Sequence, residues 1–191
     1  MSNRTHLFLV FALALALPPL RAQWTPEEMM KVKAVGPVQV SPDGKRVAYG
    51  VTEPVMTEDR SELVTQIWLA AADGSGGFAL TRGDKSSQDP RWSHDGLRLA
   101  FVSNRSGKDN LWLIRADGGE AEMLTDVTTG VGGFAWAPDG ASIAFAMTDP
   151  ASDKEEKDQK ARNDARVVGE GHKMSHLWVV PVAKDAAGKR E

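Results

Sequence analysis

The 191-residue chain carries a formal net charge of −3 at pH 7 and contains no cysteine. Hydrophobic residues make up 41% and charged residues 26% of it, as in an ordinary globular protein. The charge gives no support to nucleic-acid binding. The missing cysteines exclude disulfides, thiolate metal sites and a cysteine nucleophile.

The first 22 residues have the pattern of an export signal. Arg4 supplies positive charge, residues 7–17 form an unbroken apolar run, and residues 20–22 offer a cleavage site before Gln23. The alternatives are an uncleaved anchor and a buried helix, but the run is short for a membrane span. We therefore expect a signal peptide at residues 1–22 and an exported protein, periplasmic or secreted.

Residues 23–36 are expected to hold a short lead-in helix. Thr25 is a typical N-cap, Pro26 suits the first helical position, and Glu28 follows three residues after the cap. The helix is predicted to run from Pro26 to about Lys33.

Residues 89–125 contain four short apolar runs separated by turn sequences. The second run, residues 97–102, alternates roughly between apolar and polar positions, which is typical of a strand with one buried face. Asp95-Gly96 and Asp117-Gly118 each separate two runs, and such a pair favours a hairpin because glycine adopts the positive φ of a tight turn. The stretch therefore predicts a four-stranded antiparallel meander.

The first hairpin of this meander occurs three times. Its turn aspartates are Asp43, Asp95 and Asp139, which lie 52 and 44 positions apart, and a tryptophan-bearing run follows each hairpin. Four-stranded repeats of this length are typical of propeller blades, with a sandwich of unrelated hairpins as the alternative. We predict an all-β fold, an incomplete β-propeller of about three four-stranded antiparallel blades, preceded by the signal peptide and the short helix.

The partial propeller is predicted over residues 37–191, with blades at about residues 38–82, 89–126 and 133–191, the last incomplete. Ring closure typically needs four to eight blades, so we expect a fragment with uncovered sheet edges. Insertions are predicted around residues 53–64 and between Asp149 and Ser175, the second with a charge-dense part at residues 151–166. The second insertion has nearly balanced charge, which favours a solvated helix or mobile loop over a partner-facing loop.

The tryptophans recur at equivalent positions of the repeats. Trp68, Trp112 and Trp178 occupy third-strand positions, and Trp92 and Trp136 occupy first-strand positions. They could stack a ligand, but a residue present in every copy is better explained by packing between neighbouring sheets.

Histidines and aspartates offer weak metal motifs. His172 and His176 are four residues apart, but His176 leads into a strand and no glutamate lies between them, so we interpret both as loop or strand-start residues. The turn aspartates Asp43, Asp95 and Asp139 lack calcium-ligand spacing and are predicted to bond backbone amides of their turns. We predict no metal site, no cofactor and no cofactor-binding residue in this chain.

The Ser41-Pro42-Asp43-Gly44 hairpin, placed just after a Thr-Pro-Glu-Glu helix, resembles the amino-terminal propeller of prolyl oligopeptidase-type serine peptidases. Residues 164–168 and 176–180, after the charged insertion, are similar to the third blade of that group. The nearest branches are the acylaminoacyl and dipeptidyl peptidases. The resemblance implies a propeller that admits short peptides and an α/β-hydrolase domain, downstream of it, that carries the Ser, Asp and His triad.

No triad residue can be assigned in this chain. The nucleophile of such enzymes stands in Gly-x-Ser-x-Gly, which is absent, and the nearest match, Ser142 in residues 140–144, lies at a hairpin turn. We predict no catalytic residue and no peptide hydrolysis by this chain alone. Asn104-Arg105-Ser106 is formally a glycosylation sequon, relevant only to a eukaryotic secretory pathway.

Two functions remain open. The first is the substrate-gating propeller portion of an exported serine peptidase, with short peptides as substrates. The second is a non-enzymatic periplasmic scaffold for protein–protein interaction, similar to the translocation protein of the Tol system. A sugar- or lyase-type propeller enzyme would need histidines and carboxylates that converge at equivalent blade positions, which the repeats lack. No nucleic acid, and no membrane after signal cleavage, is expected as a partner.

Overall fold

The computed structural model describes residues 25–162 and 173–184. The predicted signal peptide at residues 1–22, His172 and the segment 185–191 lie outside these described residues. Within them, no helix is long and apolar enough to cross a membrane. The described chain folds into three antiparallel sheets with two short helices, which confirms the predicted all-β class.

The lead-in helix α1 spans Pro26–Met30. Its cap is as predicted, since the Glu28 amide donates to the Thr25 hydroxyl at 3.2 Å. The helix ends at Met30 rather than near Lys33, because an extended strand begins only four residues later. That strand contains the Gly-Pro pair expected to precede it, and a β-bulge accommodates the pair.

The first blade has the strand order β1-β2-β3-β4. Its strands are β1 Ala34–Val40, β2 Arg46–Met56, β3 Ser61–Ala71 and β4 Phe78–Ala79. The insertion predicted at residues 53–64 is not a separate loop. It prolongs the β2–β3 hairpin to the pair Met56–Ser61, and the Thr57 amide closes the turn on the Arg60 carbonyl at 2.7 Å.

The second and third blades repeat this arrangement. Blade two consists of β5 Ser87–Trp92, β6 Arg98–Ser103, β7 Asn110–Arg115 and β8 Glu122–Met123. Blade three has three described strands, β9 Phe134–Trp136, β10 Ser142–Thr148 and β11 Ser175–Pro181. Helix α2, Asp153–Lys160, lies in the connection between β10 and β11. It forms part of the predicted charged insertion and is largely exposed, as expected of a solvated helix.

Equivalent side chains join each blade to the one before it. The indole N–H of Trp92 donates to the Gln39 carbonyl at 3.0 Å, and that of Trp136 donates to the Arg91 carbonyl at 3.1 Å. Gln39 and Arg91 hold the same position in their own first strands, three residues before the turn proline or histidine. The blades are therefore related by a repeated contact as well as by a repeated sequence.

Two apolar clusters fill the spaces between the blades. The cluster between blades one and two consists of Ala48, Ile67, Leu69, Leu80, Trp92, Leu99, Phe101, Ile114 and Ala116. The cluster between blades two and three includes Leu111, Leu113, Val131, Phe134, Ile143, Phe145 and Val180. Both faces of blade two are thus covered, whereas Leu177 and Val179 of β11 and Val38 and Val40 of β1 are exposed.

In each complete blade, a threonine just after the fourth strand is hydrogen-bonded to the third strand, and we call this pair of bonds the latch. The Leu111 amide donates to the Thr125 hydroxyl at 2.9 Å, and that hydroxyl donates to the Asn110 side chain at 2.9 Å. Thr81 makes the same two bonds with Ile67 and Gln66 in blade one, at 2.9 and 2.8 Å. Both threonines are buried, so each latch replaces a bond to water with one inside the protein.

Candidate functional site

Ser142, the one serine in a partial match to a nucleophile motif, begins strand β10. It pairs with Pro181 of β11, and its carbonyl accepts the Ala137 amide at 2.9 Å across the hairpin. A nucleophile elbow places the serine between a strand and a helix N-terminus, and Ser142 stands between a turn and a strand. The structure records no hydrogen bond from its hydroxyl to a histidine among the described residues. Its position differs from that of an elbow serine, and the absence of a catalytic role stays a prediction.

The turn aspartates bond their own turns, as predicted. The Asp43 carboxylate accepts a hydrogen bond from the Lys45 amide at 3.1 Å, and the Asp95 carboxylate accepts one from the Leu97 amide at 2.9 Å. In the third turn, the Asp139 carboxylate accepts one from the amide of Ala141 at 2.9 Å. In the first two turns a serine hydroxyl also donates to the carboxylate at 2.6 Å. These serine bonds, with the amide bonds second, lower the pKa of Asp43 and Asp95. The three carboxylates therefore stabilise their turns.

His176 lies in strand β11, as expected of a strand-start histidine. Its ring nitrogen Nε2 is 3.3 Å from a carboxylate oxygen of Asp149 across the base of the charged insertion. Within residues 25–162 and 173–184, no three His, Asp or Glu side chains gather as metal ligands do. The described part of the chain therefore offers this histidine one polar partner and no metal geometry.

The tryptophans divide by position. Trp92 is buried, and Trp112 and Trp136 pack against the two inter-blade clusters, as predicted. Trp68 lies on the face of blade one that is turned away from blade two, and it is half-buried. Trp178 is 48% exposed, contrary to the prediction of core packing, because β11 is the edge strand of its described sheet.

One end of the blades carries the charged insertion between the last two strands of blade three. We call it the insertion face, defined by the β2–β3, β6–β7 and β10–β11 connections. Around the last of these, the Lys173 ammonium bonds the Glu155 carboxylate at 2.7 Å and the Pro150 carbonyl at 2.6 Å. The Lys173 bond, followed by two bonds from Ser152, lowers the pKa of Glu155 to about 2. The start of helix α2 is thereby tied to the base of β11.

A second feature of this face was missed in the sequence. Arg105, considered there only as part of a glycosylation sequon, donates to the hydroxyls of Ser103 at 3.1 Å and Ser87 at 2.8 Å. Its guanidinium also lies over the rings of Trp112 and Phe101, with its central carbon 4.9 and 5.4 Å from their centroids. A Ser-x-Arg pattern is too common to have indicated this site, because the contacts depend on two neighbouring strands.

Comparison with known proteins identifies relatives by sequence similarity. No family model matches the chain. Dipeptidyl-peptidase 5 of Porphyromonas endodontalis is 32% identical over 124 residues, an alignment that includes 57% of this chain and 18% of that protein. A protein of Bacillus subtilis described as the uncharacterized peptidase YuxL is 35% identical over 83 residues, which is 44% of this chain and 12% of that protein. The chain thus spans less than a fifth of the length of either relative.

The solved structures with a similar fold include an isopeptidase, an acylaminoacyl peptidase and a protease β-propeller domain. The AtxE2 isopeptidase superposes with a TM-score of 0.67 at 16% identity, over 88% of this chain and 31% of its own. The acylaminoacyl peptidase of Pyrococcus horikoshii gives 0.63 at 15% identity, over 83% and 25%. The β-propeller domain of the Trilobed protease from Pyrococcus furiosus gives 0.54 at 12% identity, over 84% and 42%.

The fold comparison identifies the three sheets as propeller blades, and the sequence comparison relates them to peptidases. Because the structural neighbours are under 25% identical, they establish only the fold. The homology rests on the sequence relatives. The predicted resemblance is confirmed: this chain is homologous to part of dipeptidyl-peptidase 5, and its fold is that of the amino-terminal propeller of prolyl oligopeptidase-type peptidases.

Proposed function

We propose that the chain is the substrate-gating propeller portion of an exported serine peptidase that acts on short peptides. The observation that carries this proposal is the 32% identity to dipeptidyl-peptidase 5, which falls on a chain folded as consecutive blades. Hydrolysis by acyl transfer would belong to an α/β-hydrolase domain elsewhere in the full-length protein, which supplies the nucleophile, the base and the oxyanion hole.

The role of this portion would be steric. Its blades are packed through continuous apolar clusters and repeated hydrogen bonds, so they form a rigid wall rather than a mobile lid. A rigid wall beside a catalytic domain excludes folded proteins and admits peptides narrow enough to pass. Selectivity by size would then need no ligand-binding residue in the blades.

The catalytic part of the proposal is tested by hydrolysis of dipeptidyl and aminoacyl chromogenic substrates. The full-length protein is expected to hydrolyse them, and the 191-residue chain and its Ser142→Ala variant are both expected to be inactive. Turnover by the 191-residue chain that is lost in Ser142→Ala would overturn the proposal. An inactive full-length protein that captures a protein partner would favour a periplasmic scaffold instead.

The gating part is tested on the full-length protein with substrates of increasing size. The ratio of kcat/KM for a short peptide to that for a denatured protein is expected to be large, because the longer chain cannot pass the wall. Equal values for both substrates would exclude gating while leaving the peptidase assignment intact.

Export is tested separately. Residues 1–36 fused to a reporter enzyme that is active only after export are expected to give activity, and Leu13→Arg is expected to abolish it by interrupting the apolar run. Activity that persists in Leu13→Arg, or no activity in either fusion, would contradict the export assignment.

A further inference from the structure

A groove of about 600 Å³ lies between the outer strands of blades one and two. One wall is formed by strand β4 and the residues that follow it, including Thr81 and Arg82. The other wall is formed by Ile114 and the β7–β8 connection, and Arg105 lines the groove as well. The groove is a feature of two consecutive blades, so it exists whatever the catalytic activity of the full-length protein.

Arg105 is fixed in this groove by two buried serines. The hydroxyls of Ser87 and Ser103, which are fully buried, accept one N–H bond each from its guanidinium. A guanidinium has five N–H donors, so three remain without an acceptor among the described residues. The side chain is therefore held in one orientation while most of its hydrogen-bonding capacity is unused.

The charge of Arg105 has no counter-ion in the described structure. No carboxylate lies within ion-pair distance of the half-buried guanidinium, and burial alone lowers its pKa. The rings of Phe101 and Trp112 compensate in part, because their π faces attract a cation. An anion bound beside this partly desolvated cation would offset part of the cost of its desolvation.

The charges around the groove favour an anion. Arg82 is exposed on the same wall and has no ion-pair partner among the described residues, and Glu120 is the one carboxylate that lines the groove. Two guanidinium groups therefore face one carboxylate. Strand β4 is also the edge strand of blade one, so its outer backbone groups are available to an extended chain.

We propose that the groove between blades one and two binds the carboxylate of a short extended peptide, with Arg105 as the residue that binds the carboxylate. A guanidinium fork matches the two oxygens of a carboxylate, which an ammonium cannot do. The carboxylate can belong to the peptide C-terminus or to an acidic side chain, and both present the same group. This inference is independent of the proposed peptidase function.

The test is binding of labelled peptides to the 191-residue chain by fluorescence anisotropy. The probes are dye-labelled Ala-Ala-Ala with a free carboxylate, the same peptide as its C-terminal amide, and Ala-Glu-Ala amide. We expect the free acid to bind at least about tenfold more tightly than the Ala-Ala-Ala amide, the ratio expected when a charged hydrogen bond is lost. Stronger binding of the Ala-Glu-Ala amide would assign the carboxylate to a side chain.

Variants connect this difference to Arg105. Arg105→Gln is expected to abolish the preference for the acid, and Arg105→Lys to reduce it about threefold or more because the charge stays but the fork is lost. Lys85 is an exposed cation on the same connection as Arg82 but outside the groove. Lys85→Gln is therefore expected to change the affinity for the free acid less than twofold, because salt screens an exposed surface charge.

The proposal is overturned if the free acid and both amides bind equally, or if a folded Arg105→Gln keeps the preference for the acid. It is also overturned if no peptide binds at a concentration of about 10 mM, ten times the Kd of about 1 mM that a weak peptide site has. Should Arg105→Gln fail to fold, arginine modification of the unaltered chain decides. Phenylglyoxal labelling of Arg105, located by mass spectrometry, is expected to be slowed by the binding carboxylate peptide and unchanged by the Ala-Ala-Ala amide. Equal labelling rates would show that Arg105 only supports the fold.

Discussion

Blades two and three are built from the same sequence pattern, yet their third strands have opposite surroundings. Leu111 and Leu177 each precede the strand tryptophan, and both lie on the face turned away from the preceding blade. Leu111 is fully buried beneath blade three, whereas Leu177 is 75% exposed. The comparison shows that a repeat specifies a strand and its register, while burial is determined by the next blade along the ring.

The largest effect is expected from truncating the two leucines. Leu111→Ala removes a fully buried side chain from the cluster between blades two and three and should cost about 2–5 kcal/mol of unfolding free energy. Leu177→Ala, the same substitution at the equivalent exposed position, should change it by less than about 0.5 kcal/mol. Equilibrium urea unfolding followed by tryptophan fluorescence measures both.

Similar losses for the two variants would contradict the comparison. They would mean that the exposed face of β11 is covered in solution. If a second copy of the chain provides the cover, the loss of unfolding free energy in Leu177→Ala should depend on protein concentration. Unfolding of both variants at a series of dilutions tests this.

The buried latch of blade two should have the next largest effect. Thr125→Val keeps the shape of the side chain but leaves the Leu111 amide without its bond and the Asn110 side-chain oxygen with one donor, the Val127 amide, instead of two, so the unfolding free energy should fall by about 1–3 kcal/mol. Thr129→Val removes an exposed hydroxyl bond to the Thr148 carbonyl and should cost less than about 0.5 kcal/mol. A Thr125→Val variant as stable as Thr129→Val would show that water replaces the latch.

The bond between successive blades should have a smaller effect. Trp136→Phe removes the indole N–H that donates to the Arg91 carbonyl, with an expected cost of about 0.5–1.5 kcal/mol beyond the loss of ring area. Trp178→Phe loses the same ring area without a recorded hydrogen bond and serves as the matched control. The difference between the two unfolding free energies measures the inter-blade bond, and a difference of zero would remove its role in joining the blades.

The local features of this fold could be predicted from the sequence. The Asp-Gly turns need only glycine at positive φ, and Gly44, Gly96 and Gly140 have φ of 70°, 68° and 69°. Strand alternation and the tryptophan positions are equally local, and they indicated where the strands of each blade lie. The start of β1 was not predicted, because pairing with β2 overrides the tendency of Gly36 and Pro37 to interrupt a strand.

The features that depend on contacts between distant residues were not predicted. The Thr125 latch joins residues 14 and 15 positions apart in different strands. The Arg105 site needs hydroxyls from two strands and a groove wall from the preceding blade. Neither has a spacing that a sequence pattern reveals, since serine, threonine and arginine are frequent in loops and at strand ends.

The smallest effect on stability should come from the ion pair at the insertion of blade three. Lys173→Met removes the main cause of the lowered pKa of Glu155, so that pKa should rise from about 2 toward its ordinary 4.5, and the two Ser152 bonds should keep it from reaching that value. Carboxyl-carbon NMR titration measures the change. Lys160→Met, whose ammonium faces Glu156 instead, is the control and should leave the Glu155 titration unchanged.

The direction of the pH dependence follows from the same contact. Because the folded state lowers the pKa of Glu155, the contact stabilises the start of helix α2 above about pH 4.5, and this local stabilisation is lost as pH falls toward about 2. The group is exposed, so the loss should free the start of helix α2 without shifting the urea midpoint of the blades. Protection of the amides of residues 153–160 from exchange, relative to the intrinsic rate at each pH, that falls below pH 4 in the unaltered chain but is already low at pH 6 in Lys173→Met would show this local opening. An equal shift of the global unfolding midpoint would instead make the insertion part of the cooperative fold, and blade three would then resemble blade two more closely than its exposed third strand indicates.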